Sequence, residues 1–304
     1  MKSIDTESMF TIVYIEVDDW YQAGGHKFLK GKCGVKPVFS DSEVMTLMLV
    51  ADYIPFPSET QFLNFVRANY LDLFPDLLHQ SEFNRRSRKL RLLMEEFRKY
   101  LVFQILFVQP DWILIDTKPI PVVGYKRSKR HSEFAGSATY GYCASKNMHY
   151  FGYKLVVATT LSGFPLIYEL VPANTDEREA AEVVLQRLNS CHVIGDKGFI
   201  GQDWQIRLHE QMGHYILTPK RKNQLAQNPL GFDRCLNRIR ERIEGFFNQI
   251  QNVGRNIEHL FAKTIQGLST RIISKMASFT LKFFLQRSFG INLLTFSAEE
   301  NAII

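Results

Sequence analysis

The segment DWILIDTKPIPV, residues 111 to 122, constrains the fold more than any other stretch of the chain. Its apolar run from Trp112 to Ile115 ends on a carboxylate, Asp116, and Pro119 and Pro121 follow closely. A short unbroken apolar run reads as a buried strand, and prolines stop a regular ladder because they lack the amide donor. The segment is therefore expected to be a strand that delivers one acidic side chain to a sheet edge. Its weight comes from two further carboxylates at matching places.

Downstream, Tyr150 to Thr160 alternates as a strand, Leu161 to Phe164 turns it back, and Pro165 to Val171 returns, which predicts a hairpin. Asn174 is expected to open a helix with Glu177 as its capping-box partner and Val183, Val184, Leu185 and Leu188 as its apolar face. The run HVIGDKGFIG then supplies a second short strand, Val193 and Ile194, running into Asp196. Gly198 and Gly201 flank the start of a helix that Gly213 ends, and His214 to Thr218 forms another strand. A long helix follows over DRCLNRIRERIEGFFNQIQN, with Leu236, Ile239, Ile243, Phe246 and Ile250 on one stripe and Arg240, Glu244, Phe247 and Gln251 on the neighbouring row.

This alternation of strands and helices predicts an α/β sheet whose connections bring Asp116, Asp196 and Glu244 into one cleft. Singly, an Asp at a strand end or a Glu on a helix is usually a cap or a surface charge. Together they form an oxygen-only set without a Cys or His cluster, suited to hard Mg²⁺ or Mn²⁺. Two such ions about 3.5 to 4 Å apart can activate an attacking oxygen and stabilise a leaving oxygen in phosphoryl transfer. In that arrangement Asp116 bridges the ions, and Asp196 and Glu244 each complete one.

From Ser3 to about Tyr100 the pattern is helical. Asp41 and Ser42 are expected to cap a helix bearing Val44, Leu47, Met48 and Ala51, and Ser58 the next, bearing Phe62, Phe65 and Val66. A third helix over residues 81 to 100 buries Phe83, Leu90, Leu93, Met94 and Phe97 and crowds its other faces with Arg85, Arg86, Arg88, Lys89 and Arg91. A helical block with a basic helix fits DNA docking, and it equally fits an amphipathic helix solvated by its cations. The loop KRSKRH, with Lys126, Arg127, Lys129 and Arg130, has the same two readings. The formal net charge of +6 suits a polyanionic partner without requiring one.

The four cysteines form no CxxC pair, which argues against a zinc ribbon or a disulfide framework. With no signal-peptide pattern and no apolar run long enough for a membrane span, an intracellular, cytoplasmic protein is expected. The expected division is a helical DNA-binding domain over residues 1–105, a catalytic domain over 106–255 and a helical extension over 256–304 that packs on the catalytic domain.

Taken together, ILIDTKPIPV, FGYKLVVATTLSGFPLIYELVPANTDERE, VIGDKGFIG and RIRERIEGFFNQIQ resemble the DDE transposases of bacterial insertion sequences, most closely the insertion-sequence-982 family. SDSEVMTLMLV and SEFNRRSRKLR extend the resemblance over nearly the whole chain. It implies an RNase H-like core, Mg²⁺-dependent cleavage at transposon ends and transfer of the 3′-OH to target DNA. It also implies catalytic roles for Asp116, Asp196 and Glu244, with Arg240 as the basic residue one helical turn before the Glu. The broader group often has a Tyr three before that Arg and a Lys seven after the Glu; here Asn237 and Gln251 stand there. Lys154, Lys197 and Arg242 are further candidates for phosphate contact. A homodimer on DNA, holding terminal repeats and target together, follows from the resemblance alone. A metal-dependent nuclease of the same fold and an inactive DNA-binding protein are the competing readings.

Overall fold

Helix α1 (Thr6–Gln22) begins at Asp5, whose carboxylate accepts from the Ser8 amide at 2.8 Å. The computed structural model describes residues 4–29, 37–54, 56, 58–123, 133–144, 146–224 and 227–291. The cationic loop with Lys126, Arg127, Lys129 and Arg130 lies outside the described residues, as do residues 297–304. The chain divides into two units, the first made of Met1–Ile105, Ile250–Ala262 and Gln266–Ile304, the second of Leu106–Gln249 and Lys263–Ile265.

In the first unit, α2 (Asp41–Val50) is capped by Ser40 rather than by Asp41 or Ser42. Ser40 and Glu43 form a reciprocal capping box, which satisfies the first amides without Asp41. Asp41 instead turns inward and pairs with Arg86 at 2.7 Å. Ser58 caps α3 (Glu59–Asn69) as its sequence predicts. Helix α4 (Gln80–Leu106) extends beyond the expected segment and buries the expected stripe of Phe83, Leu90, Leu93, Met94 and Phe97.

The second unit is built on a six-stranded mixed sheet. Pro119 and Pro121 do not end its first strand, β1 (Trp112–Val123); they lie within it. Pairing of β1 with the strand on its parallel side stops at Leu114, while pairing on the other side continues to the end. Alternate residues of a strand point their amides to opposite edges, so prolines two apart are tolerated where one edge carries no ladder. Strand β2 (Thr139–Cys143) follows the cationic loop as a strand that the sequence reading did not foresee. Strands β3 (Met148–Thr160) and β4 (Pro165–Pro172) form the expected hairpin, its turn closed by Gly163 at φ 82°.

Helix α5 (Glu177–Leu185) is capped by Asp176, not Asn174. Asn174 is instead engaged by Thr139, whose hydroxyl donates to its side-chain oxygen at 2.9 Å. Strand β5 (His192–Ile194), α6 (Gln202–Met212), β6 (Tyr215–Leu217) and α7 (Phe232–Asn252) follow. The strand order is β2-β3-β1-β5-β6, with β4 also on β3. Strand β3 is antiparallel to β1, β2 and β4, whereas β1, β5 and β6 run parallel.

The last helix, α8 (Ile265–Phe289), corrects the expected packing of the C-terminal extension: from Gln266 it belongs with the N-terminal helices. Its Ser278 hydroxyl donates to the Leu49 carbonyl at 2.8 Å, and Tyr53 donates to the Ser278 carbonyl. Lys275, 3% exposed, pairs with buried Asp52 at 3.1 Å, a partnership that fixes the helix because either charge alone would be stranded. No helix among the described residues is long and apolar enough to cross a membrane.

The approach of the segment after α7 to Asp52 yields a test. Gly254 has φ 66°, and a Cβ there would stand 1.8 Å from the Asp52 carbonyl oxygen. Gly254→Ala is expected to destabilise the first unit by more than about 1 kcal/mol in a denaturant titration, combining backbone strain with a clash against main chain. An unchanged midpoint would show that this turn is not held as described.

Candidate active site

Strands β1 and β5 run parallel with Leu114 opposite Ile194. Asp116 and Asp196 therefore each lie two residues beyond the last shared rung, at the same end of the sheet. Ile113, Leu114 and Ile115 are at most 1% exposed, so the apolar run anchors β1 and carries Asp116 out of bulk water. Asp116 accepts from the Thr117 amide at 2.8 Å. Asp196 leaves β5 as the cap of the 3-10 turn Lys197–Phe199, accepting from the Gly198 amide at 2.7 Å.

Helix α7 adds a cation and the third expected acid, one turn apart. The Arg240 guanidinium stands 3.8 Å from an Asp116 oxygen and 4.0 Å from a Glu244 oxygen. Glu244 is 58% exposed, against 18% for Asp116, so it is the more solvent-facing of the two. The Nε of Arg240 is buried and finds no hydrogen-bond acceptor among the described residues. The predicted acids thus meet in two pairings: Asp116 with Asp196, and Glu244 through Arg240.

A fourth acid, Glu177, completes the cluster. It was expected to be spent on capping α5; instead its carboxylate is pressed against Gly198. A Cβ on Gly198 would lie 1.6 Å from one Glu177 oxygen and 2.9 Å from Asp196 Oδ1, so the missing side chain makes room for both acids. No local pattern separates an acid that caps its own helix from one aimed across to a neighbouring loop.

These acids act on one another. Burial pushes the Asp116 carboxyl up to about 7, the negative charges of Asp196 and Glu177 add to this, and the Thr117 amide and Arg240 oppose it. Burial likewise raises Glu177, with Asp196 reinforcing the shift and Lys154 opposing it. Lys154 donates to the Thr175 carbonyl at 2.7 Å, which tethers it beside this cluster.

An oxygen-only set whose negative charge is undercompensated fits a hard divalent cation in its chemistry. Among the described residues no group of three or more acids, histidines or cysteines is close enough to hold a metal as it stands. The charge of Asp196 acts on Asp116, whereas Glu244 stands beside Arg240.

The remaining basic candidates divide by exposure. On α4, Arg85 is exposed beside Glu82 at 3.2 Å, and Lys89 is exposed. Arg88 donates to the Asn84 carbonyl at 3.4 Å. Arg86 corrects the sequence reading: its guanidinium is taken up by Asp41 and the Phe39 carbonyl, which makes it a brace inside the helical unit. Lys197 and Arg242 are exposed in the second unit.

A family model described as a transposase DDE domain matches residues 109–264, which include the acidic cluster. The chain belongs to that family. No curated protein matches it in sequence. Among solved structures, the Mos1 transposase paired-end complex with left transposon end is 16% identical, with a TM-score of 0.21 over 75% of this chain and 84% of that one.

The raised Asp116 carboxyl predicts a pH signature for this member of the DDE transposase family. Below its ordinary value of 3.8 the carboxyl is neutral in both folded and unfolded chains; between there and about 7 the unfolded chain ionises it while the fold keeps it protonated. The folded state thus loses stability as pH rises through that window, with the full penalty present above it. In metal-free buffer, the Tm of Asp116→Asn relative to the native chain should rise between about pH 4 and 7 and then level off. A difference that stays flat or shrinks across that window would contradict the burial.

Proposed function

We propose that the chain is the transposase of a bacterial insertion sequence, of the insertion-sequence-982 type, acting on DNA in the cytoplasm. In this reading it binds the ends of its element as a homodimer, cleaves them by phosphodiester hydrolysis and transfers the 3′-OH to target DNA. The observation that carries the proposal is the placement of Asp116 and Asp196 two residues beyond a shared rung of parallel strands, inside a transposase DDE domain. The antiparallel strands on one side of β1 and the parallel strands on the other support an RNase H-like core.

Asp116 and Asp196, with Glu244 turning in, would hold Mg²⁺ or Mn²⁺. When bound, the ions supply activation of the attacking oxygen and stabilisation of the leaving oxygen. The protein's own groups do the positioning. The buried Nε–H of Arg240, a donor without an acceptor among the described residues, is suited to a phosphate oxygen of the strand being cut. Glu177 acts through Gly198 on the turn that carries Asp196, and Lys154 moderates the charge of Glu177.

The direct test is a labelled duplex made from the DNA flanking the coding region, incubated with Mg²⁺ or Mn²⁺. Asp116→Asn, Asp196→Asn and Glu244→Gln are each expected to lower cleavage and joining by at least about a hundredfold, the scale of removing one transition-state stabiliser. Metal-dependent cutting without joining would establish a nuclease instead. Retained activity in Asp116→Asn would overturn the assignment.

Binding by the helical unit is expected to engage Arg85, Arg88 and Lys89, with the loop cations Lys126, Arg127, Lys129 and Arg130 adding contacts. The affinity for end DNA should then fall with salt at a slope of about −0.9 per phosphate neutralised, and Arg85→Ala with Lys89→Ala should flatten it by up to about two contacts' worth. A slope unchanged in the double variant would remove α4 from the DNA interface.

A further inference from the structure

The helical unit contains a cavity of about 460 Å³ that the acidic cluster does not use. This lies within the range of about 300 to 1,000 Å³ typical of small-ligand sites. Two guanidiniums, Arg255 and Arg271, share its wall. Arg271 donates to the Leu260 carbonyl, and burial pushes its pKa down, with Arg255 adding to the shift and Glu59 opposing it. The Nε of Arg255 is buried and finds no hydrogen-bond acceptor among the described residues. Its neighbour Asp52 stands 3.8 Å away and is already engaged by Lys275 at 3.1 Å. Among the described residues that line the cavity, two guanidiniums, Arg255 and Arg271, face one carboxylate, Glu59. Glu59 itself accepts from Gln80 at 2.7 Å and Asn84 at 3.2 Å.

A buried guanidinium donor without an acceptor costs stability until an acceptor arrives, and phosphate oxygens match paired guanidiniums in charge and geometry. The mouth of the cavity supplies a different chemistry. His259 and Phe261 stack there with ring centroids 6.4 Å apart, and Phe261 is 78% exposed. Phe261 also has φ 50°, a backbone conformation that bulky side chains seldom adopt. An anion pocket floored by arginines and edged by exposed rings fits a phosphate joined to a planar base.

We infer that this cavity binds a 5′-nucleotide, with its phosphate on Arg255 and Arg271 and its base against His259 and Phe261. The choice of a nucleotide rests on the transposase reading, but its binding needs neither divalent metal nor catalysis. Calorimetry on the full chain in metal-free buffer would compare deoxyadenosine 5′-monophosphate, deoxyadenosine, inorganic phosphate and a 5′-phosphorylated single-stranded tetranucleotide. The monophosphate should bind at least about tenfold more tightly than the nucleoside or phosphate alone, since both halves contribute.

Phe261→Ala should weaken the monophosphate by about tenfold, the scale of losing one stacking partner. Arg271→Gln should weaken it at least as much. Phe261 and His259 are exposed, so Phe261→Ala and His259→Ala keep the test decisive should Arg271→Gln fail to fold. A tetranucleotide that binds tighter than the monophosphate places the nucleotide in a DNA strand; equal affinity makes the free nucleotide the ligand. Absent binding, affinity unchanged by both ring variants, or phosphate binding as tightly as the monophosphate would overturn the proposal. Nucleotide binding without end cleavage would leave this site standing while the transposase reading fell, and the reverse result would do the opposite.

Discussion

The parallel rung between Leu114 and Ile194 is the constraint on which the second unit turns. Because side chains and strand rise are periodic, two strands paired in parallel carry equivalent positions to equivalent heights. Two residues further on, both chains hold an aspartate. The apolar residues before Asp116 make β1 the interior strand, and that same burial keeps the carboxylate short of water. Its charge must then be managed by what surrounds it. Arg240 does part of this from α7, the Thr117 amide does part, and Asp196 and Glu177 work against it. The cluster is thus electrostatically unfinished, a condition common at functional sites and costly elsewhere.

Buried charge is handled differently in the helical unit. Asp41 with Arg86, and Asp52 with Lys275, are paired at 2.7 and 3.1 Å and complete within the protein. Such pairs add little net stability over apolar packing, but losing one partner is expensive, so they pin α2 to α4 and α8 to the turn after α2. This is why the chain's last long helix belongs with its first ones. The contrast between these close pairs and the Arg240 and Arg255 Nε atoms, which find no hydrogen-bond acceptor among the described residues, separates bracing from readiness to bind.

Much of this was legible in the sequence because the decisive signals were local. The apolar runs ending at Asp116 and Asp196, the hairpin turning at Gly163, the Ser58 cap and the striped faces of α4 and α7 each follow from a few adjacent residues. The differences arose where a distant partner decided the outcome. Pro119 and Pro121 could remain in β1 because one side of that strand loses its neighbour after Leu114. Asp41 gave up capping to Ser40 because Arg86 awaited it, and Arg86 was thereby withdrawn from the basic face. Glu177 could approach Asp196 because Gly198 has no side chain, a fact visible only once the two segments meet. Alternating Thr, Tyr, Gly, Tyr and Cys over β2 were masked by their Gly-rich surroundings, and the place of α8 depended on Lys275 finding Asp52.

The proposed function requires that Asp116 and Asp196 jointly hold a divalent ion. An electron paramagnetic resonance titration of Mn²⁺ into the full chain, without DNA, reads this from the loss of the free-ion signal. The native chain should bind Mn²⁺, and Asp116→Asn and Asp196→Asn should each leave it largely free. Equal binding by all three proteins would place the ion elsewhere and remove Asp116 and Asp196 from the site.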